Sequence, residues 1–168
     1  MKTVALLATA AFALTSVAAS ALALPAKTYV MKAGASDMFE TESSKLVTDS
    51  SDPKVVSYAN MMISDHARST SDVMSAAQAD GVTAPPPMLT PKQKTMIDSL
   101  KATNGKKRDL LYKKDQITAH KETLAFQKEY AMSGDKPNLK AAAGKIVPVV
   151  QNHLDMANNM TPAGAKAM

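Results

Sequence analysis

The sequence has no cysteine and no tryptophan, and only 4% of its 168 residues are aromatic. The missing cysteines exclude a disulfide framework, thiolate metal sites, cysteine-ligated iron–sulfur clusters, c-type haem attachment and a cysteine nucleophile. With few aromatics, the apolar content is Ala, Leu, Val, Ile and Met, which favours helices over strands. Gly is also scarce, at 6. There is no P-loop, no dinucleotide fingerprint and no serine in a nucleophile-elbow context. The length suits one domain with a core that needs no covalent staples.

The first residues read as an export signal. Lys2 supplies a positive start, Val4 to Val17 are almost wholly apolar, and Ala21-Leu22-Ala23 is a small-x-small cleavage site. Ala, Ser and Thr dilute the run below what a membrane anchor needs, and no cysteine is available for a lipoprotein anchor. Residues 1–23 are therefore expected to be a signal peptide, 24–160 a soluble domain in the periplasm, and 161–168 a disordered tail. No later stretch is apolar enough to span a bilayer.

The remainder reads as helices, without strand alternation or internal repeat. A first helix is expected over about 29–48, with Ala35, Phe39, Glu42 and Leu46 inward. Asp52-Pro53 is an N-cap followed by proline at the first helical position. It opens a second helix to about residue 80, with Val56, Ala59, Ile63, His66, Thr70, Val73 and Ala77 inward, and Gly81 ends it. Residues 81–104 form a crossover: the stiff Pro85-Pro86-Pro87, then a short helix from Thr90-Pro91 to Asn104-Gly105. A third long helix spans about 106–132, with Leu110, Ile117, His120, Leu124 and Ala131 inward. The fourth follows Pro137 to about Met160, with Leu139, Ala142, Ile146, Val149, His153, Ala157 and Met160 inward. Two hairpins joined by a crossover this long predict an all-α, ferritin-like four-helix bundle, because a simple hairpin turn needs only a few residues.

Several segments are similar to a known family. They are Tyr29-Val30-Met31-Lys32-Ala33, Glu42, Met61-Met62-Ile63-Ser64-Asp65-His66, Ala119-His120-Lys121-Glu122, and Val147-Pro148 through His153-Leu154. Together they resemble a bacterial envelope family catalogued as domain of unknown function 4142, over about residues 28–160. The resemblance implies an exported ferritin-like bundle and brings no activity with it.

The chain has three histidines. His66, His120 and His153 fall on the apolar ladders of three different long helices, and Glu42 is the acid on the ladder of the first. At 1.5 Å per residue the histidines lie roughly 20, 21 and 24 Å along their helices, all mid-bundle, with Glu42 about 8 Å from the level of His66. Imidazoles with a carboxylate suit one divalent transition metal such as Zn, Cu or Fe. The Glu-x-x-His pairs of di-iron bundles are absent, because Ile63, Ile117 and Val150 stand three residues before the histidines. The first reading is nonetheless a hydrogen-bonded His/Glu cluster that fixes helix register, with the metal site as its alternative. Met38, Met61, Met62 and Met156 near these layers raise copper as one metal and core packing as the plainer role. Pro148 is expected to bend the last helix before His153, with Gly144 absorbing the strain. Adjacent helix positions point about 100° apart, so Asp65 does not pair with its neighbour His66.

The net charge is +5, one less once Lys2 is removed. Lys106, Lys107, Arg108, Lys113 and Lys114 form the clearest basic run, a solvated face or a docking patch for an anionic envelope surface. A nucleic-acid partner does not fit an exported protein. The function read from sequence is thus an exported bundle, more a binding or stress-related protein than an enzyme. It carries either a structural His/Glu cluster or a metal at His66, His120, His153 and Glu42. A metal-dependent oxidoreductase is the third reading.

Overall fold

The structure, a computed structural model, describes residues 24–162; the expected signal segment 1–23 and residues 163–168 of the expected tail lie outside the described residues. Five helices follow in order: α1 (Ala26–Lys45), α2 (Pro53–Ala79), α3 (Pro91–Lys101), α4 (Gly105–Ser133) and α5 (Pro137–Asn159). No strand occurs among the described residues. The chain is an all-α helical bundle, as its composition and periodicity predict.

Local signals set the boundaries. The Asp52 carboxylate accepts from the Lys54 amide at 2.9 Å, and Pro53 begins α2. Gly81, at φ +66°, follows the end of α2, and the Val82 amide reaches back to the Ala77 carbonyl at 2.8 Å. Thr90 and Gln93 form a capping box at the start of α3. Two prolines, Pro91 and Pro137, each open a helix.

α1 pairs with α2 and α4 with α5, while α2 also packs on α5 and α1 on α4. Both cross-hairpin pairings are antiparallel. Tyr29 near the start of α1 meets Gln127 near the end of α4, and Ser44 near the end of α1 meets Tyr112 near the start of α4. Asp80, just past α2, accepts from the Asn138 and Leu139 amides at the start of α5. Helix α3 lies against α1 and α4. The crossover is seated on α1 at Gly34, where an added Cβ would stand 2.8 Å from the Pro87 Cβ. This up–down–down–up order is the ferritin-like arrangement expected from the long crossover.

The core is divided. One apolar cluster contains Tyr29, Ala33, Val73, Tyr130, Ile146 and Val150, with Tyr29 and Tyr130 stacked at 3.9 Å. The other contains Val47, Val55, Tyr58, Met62, Tyr112 and Met160. Buried polar side chains also occupy the interior: Asp37, Glu40, His66, Gln116, His120 and His153. The interface of α1 with α4 is polar along most of its length. Tyr29 donates to Gln127 at 2.8 Å, Ser36 and Thr123 share a bond of 2.6 Å, Gln116 donates to Ser43 at 3.1 Å, and Ser44 and Tyr112 share one of 2.7 Å.

The inward ladders of α2 and α5 follow the apolar pattern at most positions, although Val149 is exposed and Val150 takes its place. In α1 and α4 Ala35, Phe39, His120 and Leu124 are inward as expected, but the buried face extends beyond the expected ladder. Asp37, Glu40, Ser43 and Ser44 are buried on α1 while Glu42 and Leu46 are only half-buried. Tyr112, Gln116, Thr123 and Gln127 are buried on α4 while Leu110 is exposed. The added part of these two faces is polar, so hydrophobic periodicity misses it. Helix α5 continues through Pro148 without interruption.

Candidate metal centre

His66 on α2, His120 on α4 and His153 on α5 meet between the two apolar clusters. Their ring centroids lie 5.5 to 5.6 Å apart in all three pairings. One ligand atom from each ring lies within 4.8 Å of the others, so the three could hold a metal ion. All three rings are buried.

Each imidazole has one nitrogen engaged by the protein. His66 Nδ1 lies 2.8 Å from Asp37 Oδ1, and Asp37 Oδ2 accepts from Thr70 at 3.0 Å. His120 Nδ1 donates to the Gln116 carbonyl, one turn earlier, at 2.9 Å. His153 Nε2 lies 3.1 Å from Asp65 Oδ2. Acceptors at these positions place the proton on the engaged nitrogen and leave a lone pair on the other. Those other atoms, His66 Nε2, His120 Nε2 and His153 Nδ1, are buried and have no hydrogen-bond partner. The imidazoles therefore do not bond one another. Buried polar atoms without partners are rare in folded proteins, and here three gather in one cluster.

The sequence-predicted acid does not join the three histidines. Glu42 is half-buried and is not one of the residues brought together. Two residues along a helix is about 200° of rotation, and Glu40 occupies the inward side. Its carboxylate is 1% exposed, neither oxygen has a hydrogen-bond partner, and Oε1 lies 3.5 Å from His120 Nδ1. Asp37 and Glu40, three residues apart on α1, are the acids that sequence reasoning missed. Asp65 does not pair with adjacent His66, as its position predicts; it reaches across to His153 instead.

Electrostatics separate the three rings. Burial pushes the Glu40 carboxyl up to about 7, opposed in part by His66 and the nearby Gln116 amide. Burial, with neighbouring His66 and His153, pushes His120 down to about 3. His153 is also lowered, first by burial and then by His66. At His66 burial acts downward, but the hydrogen bond to Asp37 and the charges of Glu40 and Asp37 outweigh it, and the group is raised.

A groove of about 480 Å³ runs between α2 and α5 and ends on His66 and His153, with Asp65, Arg68, Lys145 and Val149 in its walls. Of the four methionines expected near the histidines from sequence, Met62 is fully buried in an apolar cluster, Met38 and Met61 are half-buried and Met156 is exposed. In the basic run Arg108 pairs with Asp49 and Lys113 donates to the Asn158 carbonyl, while Lys106, Lys107 and Lys114 are exposed. No helix among the described residues is long and apolar enough to cross a membrane.

No curated protein and no solved structure matches the chain. A family model does, over residues 11–160, and its description is "Domain of unknown function (DUF4142)". Covering most of the sequence and all five helices, that match makes the chain a member of the DUF4142 family.

Proposed function

We propose that the protein is an exported, envelope-resident bundle whose molecular task is to bind a single transition-metal ion at His66, His120 and His153. The observation that carries this reading is the convergence of the three imidazoles, each with one ligand atom within 4.8 Å of the others and each with one buried ring nitrogen that has no partner. A second feature supports it. Ligating histidines almost always donate the other ring N–H to a carboxylate or carbonyl, which orients the ring and raises its basicity. Asp37, the Gln116 carbonyl and Asp65 take that role here. A purely structural cluster would spend the ring nitrogens on hydrogen bonds within itself.

Imidazole donors suit zinc, copper, iron and nickel. For tetrahedral zinc, with bonds of 2.0–2.1 Å, the donor atoms stand roughly 3.3 Å apart, so the ring nitrogens close in on the ion. The groove between α2 and α5 supplies an approach. The exported location rests on the charged start, apolar run and Ala21-Leu22-Ala23 of the sequence.

The experiment is metal analysis of tag-free protein purified from the periplasm, with titration of the chelated protein by zinc, copper and cobalt. About one ion per chain is expected, lost in His120→Ala. Failure of every metal to bind, or equal binding by His120→Ala, overturns the reading.

A further inference from the structure

Three imidazoles supply three donors, and ions such as zinc take four. Asp37 has both oxygens engaged, by His66 and Thr70, and Asp65 is turned to His153. Glu40 differs from both. Its oxygens make no hydrogen bond of ordinary geometry, although the Gln116 amide is near; it is almost wholly buried, and its Oε1 lies 3.5 Å from His120 Nδ1, the ring nitrogen that the Gln116 carbonyl engages. An ionised carboxylate without a partner is costly in such a place, and a cation beside it removes the cost.

We propose that Glu40 is the fourth ligand, so that the ion is held by three imidazoles and one carboxylate, one donor from each long helix, with no position left for solvent. This rests on the metal reading above. Without the ion, Glu40 stands beside the triad rather than within it. Rotation about its side-chain torsions carries a carboxylate oxygen by a few ångströms, a displacement of the same order as the imidazoles would need to close on an ion. The Gln116 amide, also buried with an unpartnered oxygen, packs in the same layer but offers only a neutral donor. The consequence concerns the kind of site. Structural metal sites are closed by four protein ligands, and catalytic ones keep a position for water or substrate. Glu40 makes this a closed site, suited to holding an ion and not to activating a substrate on it.

The test uses the full mature protein loaded with cobalt(II), read by visible absorption and titrated with azide. Wild type is expected to show a four-coordinate spectrum that azide leaves unchanged. Glu40→Ala is expected to bind cobalt at least tenfold more weakly and to change its spectrum on adding azide, because solvent enters the vacated position. Glu40→Gln preserves side-chain shape and gives a weaker, shifted spectrum should the alanine variant fail to fold. An azide response in wild type, or wild-type affinity and spectrum in both variants, overturns the proposal while leaving the three-histidine site standing. No cobalt binding by wild type overturns the metal reading itself and the Glu40 assignment with it.

Discussion

Asp37 is the most exacting test of how the cluster is held. Its carboxylate is almost fully buried, binds His66 Nδ1 at 2.8 Å and accepts from Thr70 at 3.0 Å. Asp37→Asn keeps an acceptor for His66 and removes the charge; losing a charge-assisted bond of this kind costs about 1.5–3 kcal/mol. Asp37→Ala leaves the imidazole N–H and the Thr70 hydroxyl without partners, and breaking a buried pair in this way costs about 3–5 kcal/mol. Against a typical domain stability of about 5–15 kcal/mol, the alanine variant gives up a large fraction. The dependence on pH has a definite sign. Asp37 contributes to holding His66 above its ordinary value. A raised folded-state value means stability present below the unfolded value, about 6.5, and lost as pH rises through the folded one. Asp37→Asn should therefore cost more at pH 5.5 than at pH 9. Urea unfolding of the metal-free proteins, followed by far-UV circular dichroism at both values, gives the difference directly. A cost under about 0.5 kcal/mol at both values, or a larger cost at pH 9, refutes the reasoning.

Glu40→Gln should do the opposite to the metal-free protein. Burial raises Glu40 from 4.5 to about 7, so its contribution is present below pH 4.5 and lost as pH rises through about 7. At pH 8 the glutamine variant is expected to be more stable than wild type by about 2–4 kcal/mol, and equal to it near pH 4; a glutamine variant less stable at pH 8 in the presence of chelator contradicts this. Gly34→Ala gains about 1 kcal/mol of helix propensity but forces its Cβ against Pro87, an overpacking worth about 1–3 kcal/mol. A net loss is expected, with faster proteolysis of residues 82–90, and unchanged cleavage there would show that the crossover seat is softer than its geometry.

Much of the fold was legible because the chain marks its helix ends with local chemistry: Asp52-Pro53, Gly81, Thr90-Pro91 and Pro137 all act where they stand. The three histidines were legible for a different reason. His66 and His153 sit on helices whose inward faces are apolar, so a histidine on the ladder is conspicuous. Glu40 and Asp37 were hidden because α1 turns Ser36, Asp37, Glu40, Ser43 and Ser44 into the bundle. Reading rotation from apolar residues then points to Glu42, on the wrong side of the helix. His120 escaped the same error on α4 because Leu124, one turn on, is buried beside it. Asp65 could be excluded as a partner of His66 from sequence, but its bond to His153 depends on how α2 and α5 are placed side by side, which no local pattern carries.

The hydrogen-bonded interface between α1 and α4 has one more consequence. Apolar faces tolerate sliding, since a leucine shifted by a turn still meets something greasy. Hydroxyls and amides do not. A slip of one turn, about 5.4 Å, would break the Tyr29–Gln127, Ser36–Thr123, Ser43–Gln116 and Ser44–Tyr112 bonds together. The four pairs act as a vernier scale between the hairpins, with one alignment at which every mark coincides. At that alignment Glu40 on one hairpin lies 3.5 Å from His120 on the other, so the teeth that set the scale also set the spacing of the buried acid and imidazole.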